Sequence, residues 1–315
     1  MEKQKLILIV GPTASGKTAA SIELALRLNG EIVSADSMAI YRGMDIGTAK
    51  PSIEERCGIP HHMINCVDPN QPYSVSEYQQ DAQRCMRDIW SRNKLPIICG
   101  GTGLYVNSLI FPLDFSTVQG NEIIRRKWEA FAAQHGNLVL HDELRKVDPK
   151  AAEQIHPNNV RRVVRALEIF ECTGIPKSDQ ASMAQPFELH YEPILMGITL
   201  PREQLYRRCD LRVEQMLSSG LEEEVCTLLS AGLSPKAQSM QGIGYKEIAA
   251  ELSGELSRSE AIDLLKKNTR HLAKRQLTWF RANDKIHWFD VSGYESFTDL
   301  YQEMMRYSLG NSAHP

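Results

Sequence analysis

One stretch of this 315-residue chain, GPTASGKT at Gly11–Thr18, restricts the possible folds more than any other segment. It fits the pattern G-x-x-x-x-G-K-[ST], in which a glycine-rich turn directs backbone N–H groups inward at the start of a helix. The apolar run Leu6–Val10 precedes it, and a segment with helical periodicity follows it. The sequence therefore predicts a phosphate-binding loop between a buried strand and a helix.

The whole loop is assigned to the phosphate site. Lys17 adds a positive charge there, and the hydroxyl of Thr18 is a candidate ligand for Mg²⁺. The remaining members of the predicted site are Gly11, Pro12, Thr13, Ala14, Ser15 and Gly16. A chance match in a glycine-rich turn is the alternative, and the flanking strand and helix count against it.

Short apolar segments recur along the first part of the chain. Leu6–Val10, a segment ending at Asp36, and Leu95–Cys99 are each brief, rich in aliphatic residues and closed by glycine or a polar residue. Helical patterns separate them, which is the order typical of parallel sheets. The predicted fold class is α/β, a P-loop NTPase-like parallel sheet flanked by helices.

The pattern changes after about Pro112. Residues 114–190 contain helical segments broken by proline and polar turns, and no convincing strand. An apolar segment around Ile194 then resumes the sheet. We therefore predict a catalytic core of residues 1–113 and 191–315, interrupted by an all-helical insertion domain at 114–190.

Composition indicates an ordinary globular protein. With 42% hydrophobic and 24% charged residues and a net charge of −3, nucleic-acid binding would need local basic patches. The seven cysteines form no C-x-x-C pair, so neither a zinc site nor a disulfide framework is predicted. No apolar run is long enough for a signal peptide or a membrane span, and we expect a cytoplasmic protein without membrane attachment.

A second constellation begins at Asp36, where a predicted strand ends. Ligands of α/β sheets bind beyond the carboxyl ends of the strands, so this carboxylate would meet the phosphate loop and could act as a general base. An ordinary P-loop NTPase needs an acidic residue at the end of a nearby strand, but LPIICGGTG ends in Gly-Gly-Thr. A nucleoside triphosphatase or motor is disfavoured, and a small-molecule kinase remains a weaker alternative.

The motifs of this chain resemble, in order, those of the bacterial tRNA dimethylallyltransferases, also called tRNA isopentenyltransferases. They are GPTASGKT, DSMAIYRGMDIGTAKP, GGTGLYVNSL, HPNNVRRVVRALE, RVEQMLSSGLEEEV, QGIGYKEI and TRHLAKRQLTWFR. The resemblance runs from the first strand to about Asp290. It implies an Mg²⁺-dependent, mainly monomeric enzyme that binds the tRNA anticodon stem-loop and dimethylallyl diphosphate. Such an enzyme transfers the dimethylallyl group to N6 of the adenosine 3′-adjacent to the anticodon and releases diphosphate.

The resemblance assigns catalytic roles to four residues. Asp36 would accept the proton of the adenine amine, and Thr102 matches a threonine at the reaction centre. Arg212 matches an arginine that engages the diphosphate, and Lys17 with the bound Mg²⁺ would share the diphosphate's charge. From the residues alone, Thr102 could instead be a helix N-cap, and Arg212 a solvated charge paired with Glu214 or its neighbours.

The resemblance also implies tRNA contacts in three regions. The flipped adenine would be read at the reaction centre, by Asp36, Ser37, Met38, Ala39 and Thr102. The anticodon region would be gripped by the segment QGIGYK, through Gln241, Gly242, Gly244, Tyr245 and Lys246. The insertion would contribute Arg125, Arg161, Arg162 and Arg165. Without the resemblance, the arginines of VRRVVR would more often form a solvated helix face than an RNA site.

A basic segment near the C-terminus supports an RNA partner. Between Lys266 and Lys285 seven basic residues stand against one acidic residue, a local charge of +6 that marks a surface for a phosphate backbone. Trp279 and Phe280 could stack on bases, but their helical spacing favours a place in the core.

Three other functions share part of this pattern. A transferase acting on free adenosine nucleotide would use the same loop and aspartate, but it needs neither a helical insertion nor the +6 segment. A small-molecule kinase would share only the loop. A non-catalytic RNA-binding protein would keep the basic segments beside a vestigial phosphate loop.

Overall fold

The computed structural model describes residues 3–111, 120–179 and 191–310. The chain divides into two compact units, Met1–Ile110 with Leu189–Pro315, and Phe111–Glu188. The predicted core, residues 1–113 and 191–315, differs from the first unit by a few residues at each boundary. The role predicted for the second unit in tRNA binding stays a prediction.

Six described strands form one sheet in the first unit. They are β1 (Gln4–Val10), β2 (Gly30–Ser34), β3 (His61–His62), β4 (Leu95–Gly100), β5 (Tyr191–Thr199) and β6 (His287–Asp290). Their order across the sheet is β3-β2-β4-β1-β5-β6, and every neighbouring pair runs parallel. The predicted α/β fold class with a parallel sheet is confirmed.

Strand β1 shows why the apolar segments form strands. Leu6, Leu8 and Val10 belong to one hydrophobic core, and Ile7 and Ile9 belong to a second one. All five side chains are at most 1% exposed. Successive side chains of a strand point to opposite faces, so β1 is buried on both faces and reads as a continuous apolar run.

Helices account for most of the remaining described chain. In order they are α1 (Lys17–Arg27), α2 (Val75–Ser91), α3 (Gly103–Ile110), α4 (Glu122–His135), α5 (Asn137–Val147), α6 (Pro149–Gln154), α7 (Val160–Thr173), α8 (Arg202–Ser218), α9 (Leu221–Ser230), α10 (Tyr245–Leu252), α11 (Arg258–Arg281) and α12 (Phe297–Ser308). Helices α2, α6 and α12 and the edge strand β3 were not predicted from the sequence. Across the described ranges no helix is both long and apolar enough to cross a membrane.

The second unit is helical throughout its described elements, α4 to α7. It has a hydrophobic core of its own, which includes Leu140, Leu144, Val163, Val164 and Leu167. Val163, Val164 and Leu167 form the buried face of α7. Arg161 and Arg162 are exposed, whereas Arg165 is half-buried.

Candidate active site

The loops after β1, β2 and β4 meet at one edge of the sheet, because neighbouring parallel strands end on the same side. Two glycines permit close backbone approach here, Gly11 to strand β5 and Gly100 to the loop after β2. A Cβ on Gly11 would overlap the carbonyl oxygen of Ile198, and a Cβ on Gly100 would overlap that of Ala35. A side chain at either position would therefore push the loops away from their neighbours.

The phosphate loop keeps its polar groups available. Gly16, with a φ of 97°, and Ala14, with a φ of 63°, lie in the left-handed region and turn the loop toward α1. The first turn of α1 has no side-chain cap, so its N–H groups can bind an anion. The Ser15 hydroxyl is buried and has no hydrogen-bond partner among the described residues. A buried orphan hydroxyl here suits an oxygen of a ligand.

Lys17 lies within this loop, and its ammonium donates a hydrogen bond to the carbonyl of Pro12. Its pKa falls to about 8, mainly because burial disfavours the charged form. The side chains of Cys99 and Asp36 oppose this shift, and Arg212 adds to it. A bound anion would favour the protonated ammonium.

The groups around Lys17 carry a net positive charge. Burial raises the pKa of the Cys99 thiol and brings that of Cys209 to about 11, so both thiols are neutral at pH 7. Burial lowers the pKa of Arg212 while Asp36 opposes this shift, but an arginine stays charged in proteins. Two cations therefore share this region with one carboxylate, and the excess charge favours binding of a further anion.

The Asp36 carboxylate is fixed by the loop that follows it. Its Oδ1 accepts hydrogen bonds from the backbone N–H groups of Met38 at 2.8 Å and Ala39 at 3.3 Å. Within the described ranges, both bonds go to Oδ1 and none to Oδ2. The carboxylate is thus held in one orientation by one oxygen, while the other oxygen is left to a substrate.

Thr102 joins this loop from the turn after β4. Its Oγ1 accepts a hydrogen bond from the Ser37 N–H at 3.0 Å and donates to the Ser37 Oγ at 3.2 Å. Its own N–H donates to the carbonyl of Ala35 at 3.0 Å. The side chain therefore bonds to the Asp36 loop, which distinguishes it from the simple helix N-cap considered in the sequence analysis.

Arg212 approaches from α8, and its Nη2 donates to the carbonyl of Thr48 at 3.2 Å. The pairing with Glu214 that the sequence left open is wrong, since Glu214 binds Lys266 at 2.7 Å instead. Arg212 is half-buried and forms no ion pair within the described ranges. Its charge is therefore available to a ligand.

Gln276 on α11 is a contact that the sequence analysis missed. Its Oε1 accepts a hydrogen bond from the Thr13 N–H at 2.7 Å, and its Nε2 donates to the Gly101 carbonyl at 3.0 Å. One side-chain amide thereby joins the phosphate loop to the turn that carries Thr102. Gln276 does lie in the motif TRHLAKRQLTWFR, but the bond to Thr13 spans 263 positions, and no local pattern shows such a contact.

Lys50 is a second missed residue, at the end of the loop that Asp36 begins. Its side chain is 3% exposed, and burial lowers its pKa. The ammonium donates to Asp45 Oδ1 at 2.7 Å, and also to the carbonyl of Tyr41 and to Asn65 Oδ1. With two acceptors inside the loop and Asn65 beside it, Lys50 shapes the loop and is not free to act on a ligand.

The segment QGIGYK packs against the Asp36 loop. A Cβ on Gly242 would lie 2.5 Å from the Met38 methyl carbon, so this glycine allows the two segments to touch. Gln241 is exposed, and its Nε2 donates to the Pro235 carbonyl at 2.9 Å. The ring of Tyr245 is fully buried, so a tRNA contact at this position would have to come from its backbone. Lys246 is exposed beside Glu247, at 3.6 Å.

The basic segment lies mostly on α11 and is only partly neutralised. Lys266 pairs with Glu214, and Arg270 pairs with Asp210. The other basic residues of the segment are exposed, namely Lys267, Lys274, Arg275, Arg281 and Lys285. Phe280 is buried as predicted, but Trp279 is 40% exposed.

The predicted RNA-binding arginines of the second unit differ in their surroundings. Arg125 and Arg165 both bind the buried carboxylate of Glu168, at 2.9 Å and 2.7 Å. They therefore stabilise the helices of this unit, whether or not they also touch RNA. Arg161 and Arg162 are the exposed pair at the start of α7.

Among the described residues, no cluster of three or more His, Cys, Asp or Glu side chains is arranged to hold a metal ion. The Thr18 side chain is exposed in the first turn of α1, beside Lys17. A metal at this edge would therefore draw most of its ligands from a substrate and from water.

A family model described as IPP transferase matches residues 39–283, and one described as isopentenyl transferase matches residues 4–62. The chain belongs to the IPP transferase family. The resemblance drawn from the ordered motifs and the enzyme class, a transferase, are thereby confirmed.

Similar proteins match along nearly the whole chain. A tRNA dimethylallyltransferase of Caldanaerobacter subterraneus subsp. tengcongensis is 47% identical over 97% of this chain and 98% of its own length. One from Geobacillus thermodenitrificans is 48% identical over 98% and 97%.

Two solved structures share the fold. A full-length tRNA isopentenylpyrophosphate transferase from Bacillus halodurans has a TM-score of 0.74 and 46% identity, and covers 98% of this chain and 97% of its own. A eukaryotic dimethylallyltransferase acting on tRNA has a TM-score of 0.81 and 30% identity, and the match covers 98% of this chain and 80% of the eukaryotic one.

Proposed function

We propose that this protein is a tRNA dimethylallyltransferase. It transfers the dimethylallyl group from dimethylallyl diphosphate to N6 of the adenosine 3′-adjacent to the anticodon and releases diphosphate. The observation that carries the proposal is the meeting of a cationic phosphate loop with a fixed aspartate at one edge of the sheet. The names of the full-length relatives support it.

Asp36 is proposed as the general base. The lone pair of the adenine amine is delocalised into the ring, so its attack on the allylic carbon needs a proton acceptor in the transition state. Oδ1 is held by the N–H groups of Met38 and Ala39, which leaves Oδ2 to take the proton. The N6–C1 bond forms, the C1–O bond to diphosphate breaks, and the N6 proton passes to Asp36. Thr102 is proposed to contact the acceptor adenosine beside Asp36.

The leaving diphosphate is stabilised by groups that are already in place. Lys17, the N–H groups of the loop at Gly11–Thr18, and Arg212 would share its negative charge. These groups are in place and carry an excess of positive charge before the substrate binds. They can therefore stabilise the departing diphosphate without moving. The Ser15 hydroxyl would donate to a diphosphate oxygen and so gain the partner that it lacks.

Mg²⁺ is proposed to bind with the diphosphate. Thr18 offers an exposed hydroxyl in the first turn of α1, and the described residues contain no carboxylate cage that would hold a bare ion. This donor set fits Mg²⁺, which prefers substrate phosphates and water with few protein ligands. When bound, the ion would neutralise part of the charge of the departing diphosphate.

The proposed partner is the anticodon stem-loop of tRNA. The target adenine must leave its stack to reach Asp36, as in other enzymes that act on a base. The segment QGIGYK, which packs on Met38, would hold the loop nucleotides near that residue. The exposed lysine and arginine side chains of α11 and α7 would hold the phosphate backbone of the tRNA. We propose that the enzyme works as a monomer in the cytoplasm.

Mass spectrometry of tRNA incubated with dimethylallyl diphosphate, Mg²⁺ and the protein tests the proposal. We expect dimethylallyl adenosine at the position after the anticodon. Asp36→Asn should lower kcat by about 10²- to 10⁴-fold, because the amide keeps an Oδ1 acceptor for Met38 and Ala39 but cannot accept the proton. Binding of tRNA should be unchanged, so an inactive variant that still binds excludes a merely RNA-binding role.

The same assay separates the other functions. Robust modification of AMP without modification of an anticodon stem-loop would favour a nucleotide transferase. Phosphate transfer from ATP without any dimethylallyl diphosphate would favour a small-molecule kinase. Either result would overturn the proposed function.

A further inference from the structure

The loop that begins at Asp36 is tied down by a carboxylate far away in the chain. Glu224, on α9, accepts hydrogen bonds from three successive backbone N–H groups of this loop. Asp45 and Ile46 both donate to its Oε2 at 2.8 Å, and Gly47 donates to its Oε1 at 3.1 Å. Three consecutive donors converging on one carboxylate hold a turn far more tightly than a single contact does.

Tyr245 completes the arrangement. Its hydroxyl donates to Glu224 Oε1 at 2.6 Å, and its ring is fully buried. Burial and the nearby Glu224 raise its pKa, so the hydroxyl keeps its proton as a donor. A Cβ on Gly47 would lie 2.6 Å from the ring, so only glycine lets the loop rest on the tyrosine. We call these four hydrogen bonds the Glu224 clamp.

The clamp lies between parts of the site that have different tasks. Tyr245 follows Gly244 in the segment QGIGYK, and Gly242 of the same segment touches Met38, two residues after Asp36. On the other side, the next residue after the clamped turn is Thr48, whose carbonyl binds Arg212. The clamp therefore connects the segment proposed to hold the anticodon loop with the residues proposed to act on the substrate.

The neighbouring charged residues Lys50 and Glu223 do not bind the three N–H groups that Glu224 binds. Lys50 fixes the end of the loop by donating to oxygen atoms within and beside it. As a donor it cannot bind the N–H groups of Asp45, Ile46 and Gly47. The adjacent Glu223 is exposed and has no hydrogen bond to the loop within the described ranges. Glu224 is thus distinguished from the other acids of α9 by geometry and not by composition.

We propose that Glu224 is a positioning residue for the transfer reaction: it fixes the loop that carries Asp36 and couples it to the segment QGIGYK. This inference rests on the proposed function for its effect on catalysis. Because a misplacement of about 1 Å can cost about 100-fold in rate, loosening the loop should lower kcat strongly. The clamp does not touch the phosphate loop on β1 and α1, and it reaches the proposed diphosphate-binding groups only through the bond between Thr48 and Arg212, so the KM for dimethylallyl diphosphate should change much less than kcat.

Glu224→Gln tests the proposal with little change in volume. The amide has one acceptor oxygen and directs an NH₂ group at a backbone donor, so it cannot satisfy all three N–H groups. We expect kcat for tRNA to fall by about 10- to 100-fold with less than about a threefold change in KM for dimethylallyl diphosphate. The matched control, Glu223→Gln, removes the same charge from the same helix and should behave as the parent does.

Hydrogen–deuterium exchange of the loop reports on the clamp without any substrate. In Glu224→Gln, the amides of Asp45, Ile46 and Gly47 should exchange at least about tenfold faster than in the parent and in Glu223→Gln. Tyr245→Phe removes one hydrogen bond and should give a smaller change in the same direction, which covers the case in which Glu224→Gln folds poorly.

Unchanged exchange in Glu224→Gln, or faster exchange with an unchanged kcat, would overturn the proposal. An equal loss of activity in Glu223→Gln would also overturn it, because charge and not the clamp would then matter. If the parent protein proved inactive on tRNA, the proposed function would fall. Faster exchange at the three amides would still establish that Glu224 holds the loop.

Discussion

Lys17 is placed to lose its proton just above neutral pH, because burial lowers its pKa to about 8. Below that pH the unliganded protein carries an ammonium in the phosphate loop, and above it a neutral amine. Since diphosphate binds the ammonium more tightly, affinity should fall as the pH rises through about 8. We expect the Kd for dimethylallyl diphosphate to increase by up to about tenfold per pH unit there, measured by titration calorimetry.

A variant separates this effect from other titrations. Lys17→Met keeps the length of the side chain but has no charge to lose, so it should bind dimethylallyl diphosphate weakly and with a flat pH dependence above neutrality. The same slope in the variant as in the parent would assign the pH effect to another group.

Residues differ in how far the sequence could predict their place. Asp36 and Lys17 were predictable, because each stands in a local pattern: a carboxylate at the end of a strand, and a lysine in a glycine-rich loop. Glu224 and Gln276 were not, since their partners lie 177 to 179 and 175 to 263 positions away. Sequence periodicity reports which face of a helix is buried, but it does not report which distant backbone that face meets.

At the scale of elements, α11 has two different faces. Gln276 points inward to the loops at Thr13 and Gly101, and Lys274 and Arg275 are exposed. The basic composition of this helix predicted an RNA surface, but it gave no sign of the inward contact. The helix therefore both buttresses the phosphate site and presents a charged surface.

Gln276→Leu removes both hydrogen bonds and leaves the Thr13 N–H and the Gly101 carbonyl without partners. We expect the free energy of unfolding to fall by about 1 to 3 kcal/mol, because a part-buried backbone donor and acceptor lose their hydrogen-bond partners. The Kd for dimethylallyl diphosphate should rise as well, since the phosphate loop is released from α11. Chemical denaturation and calorimetry measure the two effects.

Thr278→Ala provides the control, because this exposed threonine lies on the same helix and its hydroxyl bonds only within the helix, to the Lys274 carbonyl. Its stability and its diphosphate affinity should match those of the parent. If Gln276→Leu lost stability but bound dimethylallyl diphosphate as tightly as the parent, the contact would support the fold and not the phosphate loop.

The elements that were not predicted from the sequence are of two kinds, one without a readable pattern and one with a pattern that was overlooked. Strand β3 has only two residues, His61 and His62, and is too short to show any periodicity. Helices α2 and α12 each begin with a capping box, at Ser74–Glu77 and Ser296–Asp299, so their starts were readable from the sequence. The long strands were predicted because their apolar runs define them, whereas α2 was overlooked although Tyr78, Ala82, Met86 and Ile89 form a buried face along it.

At the scale of the whole molecule, a chain of net charge −3 can attract RNA only through separate basic surfaces. One such surface lies on α11 in the first unit. The other is formed by Arg161 and Arg162 at the start of α7 in the second unit. The sequence grouped Arg165 with them, but its ion pair with the buried Glu168 makes it unsuitable for a clean test.

Replacing Arg161 and Arg162 together by glutamine should weaken tRNA binding without unfolding the second unit, because both side chains are exposed. Each phosphate contact releases about 0.7 to 0.9 counterions. The slope of log K against log salt concentration should therefore become shallower by about 1.4 to 1.8 if both arginines contact phosphates. Filter binding or fluorescence anisotropy over a series of salt concentrations measures it.

Arg126→Gln is the matched control within the same unit. Arg126 is exposed and pairs with Glu122 one turn away, so its loss changes the charge of the second unit without touching α7. The slope should then stay as in the parent, and only the double variant should show the shallower slope. An equal change of slope in both would mean that the unit attracts tRNA by its overall charge. An unchanged slope in the double variant would remove α7 from the RNA-binding surface and leave α11 as the basic surface that binds the phosphate backbone.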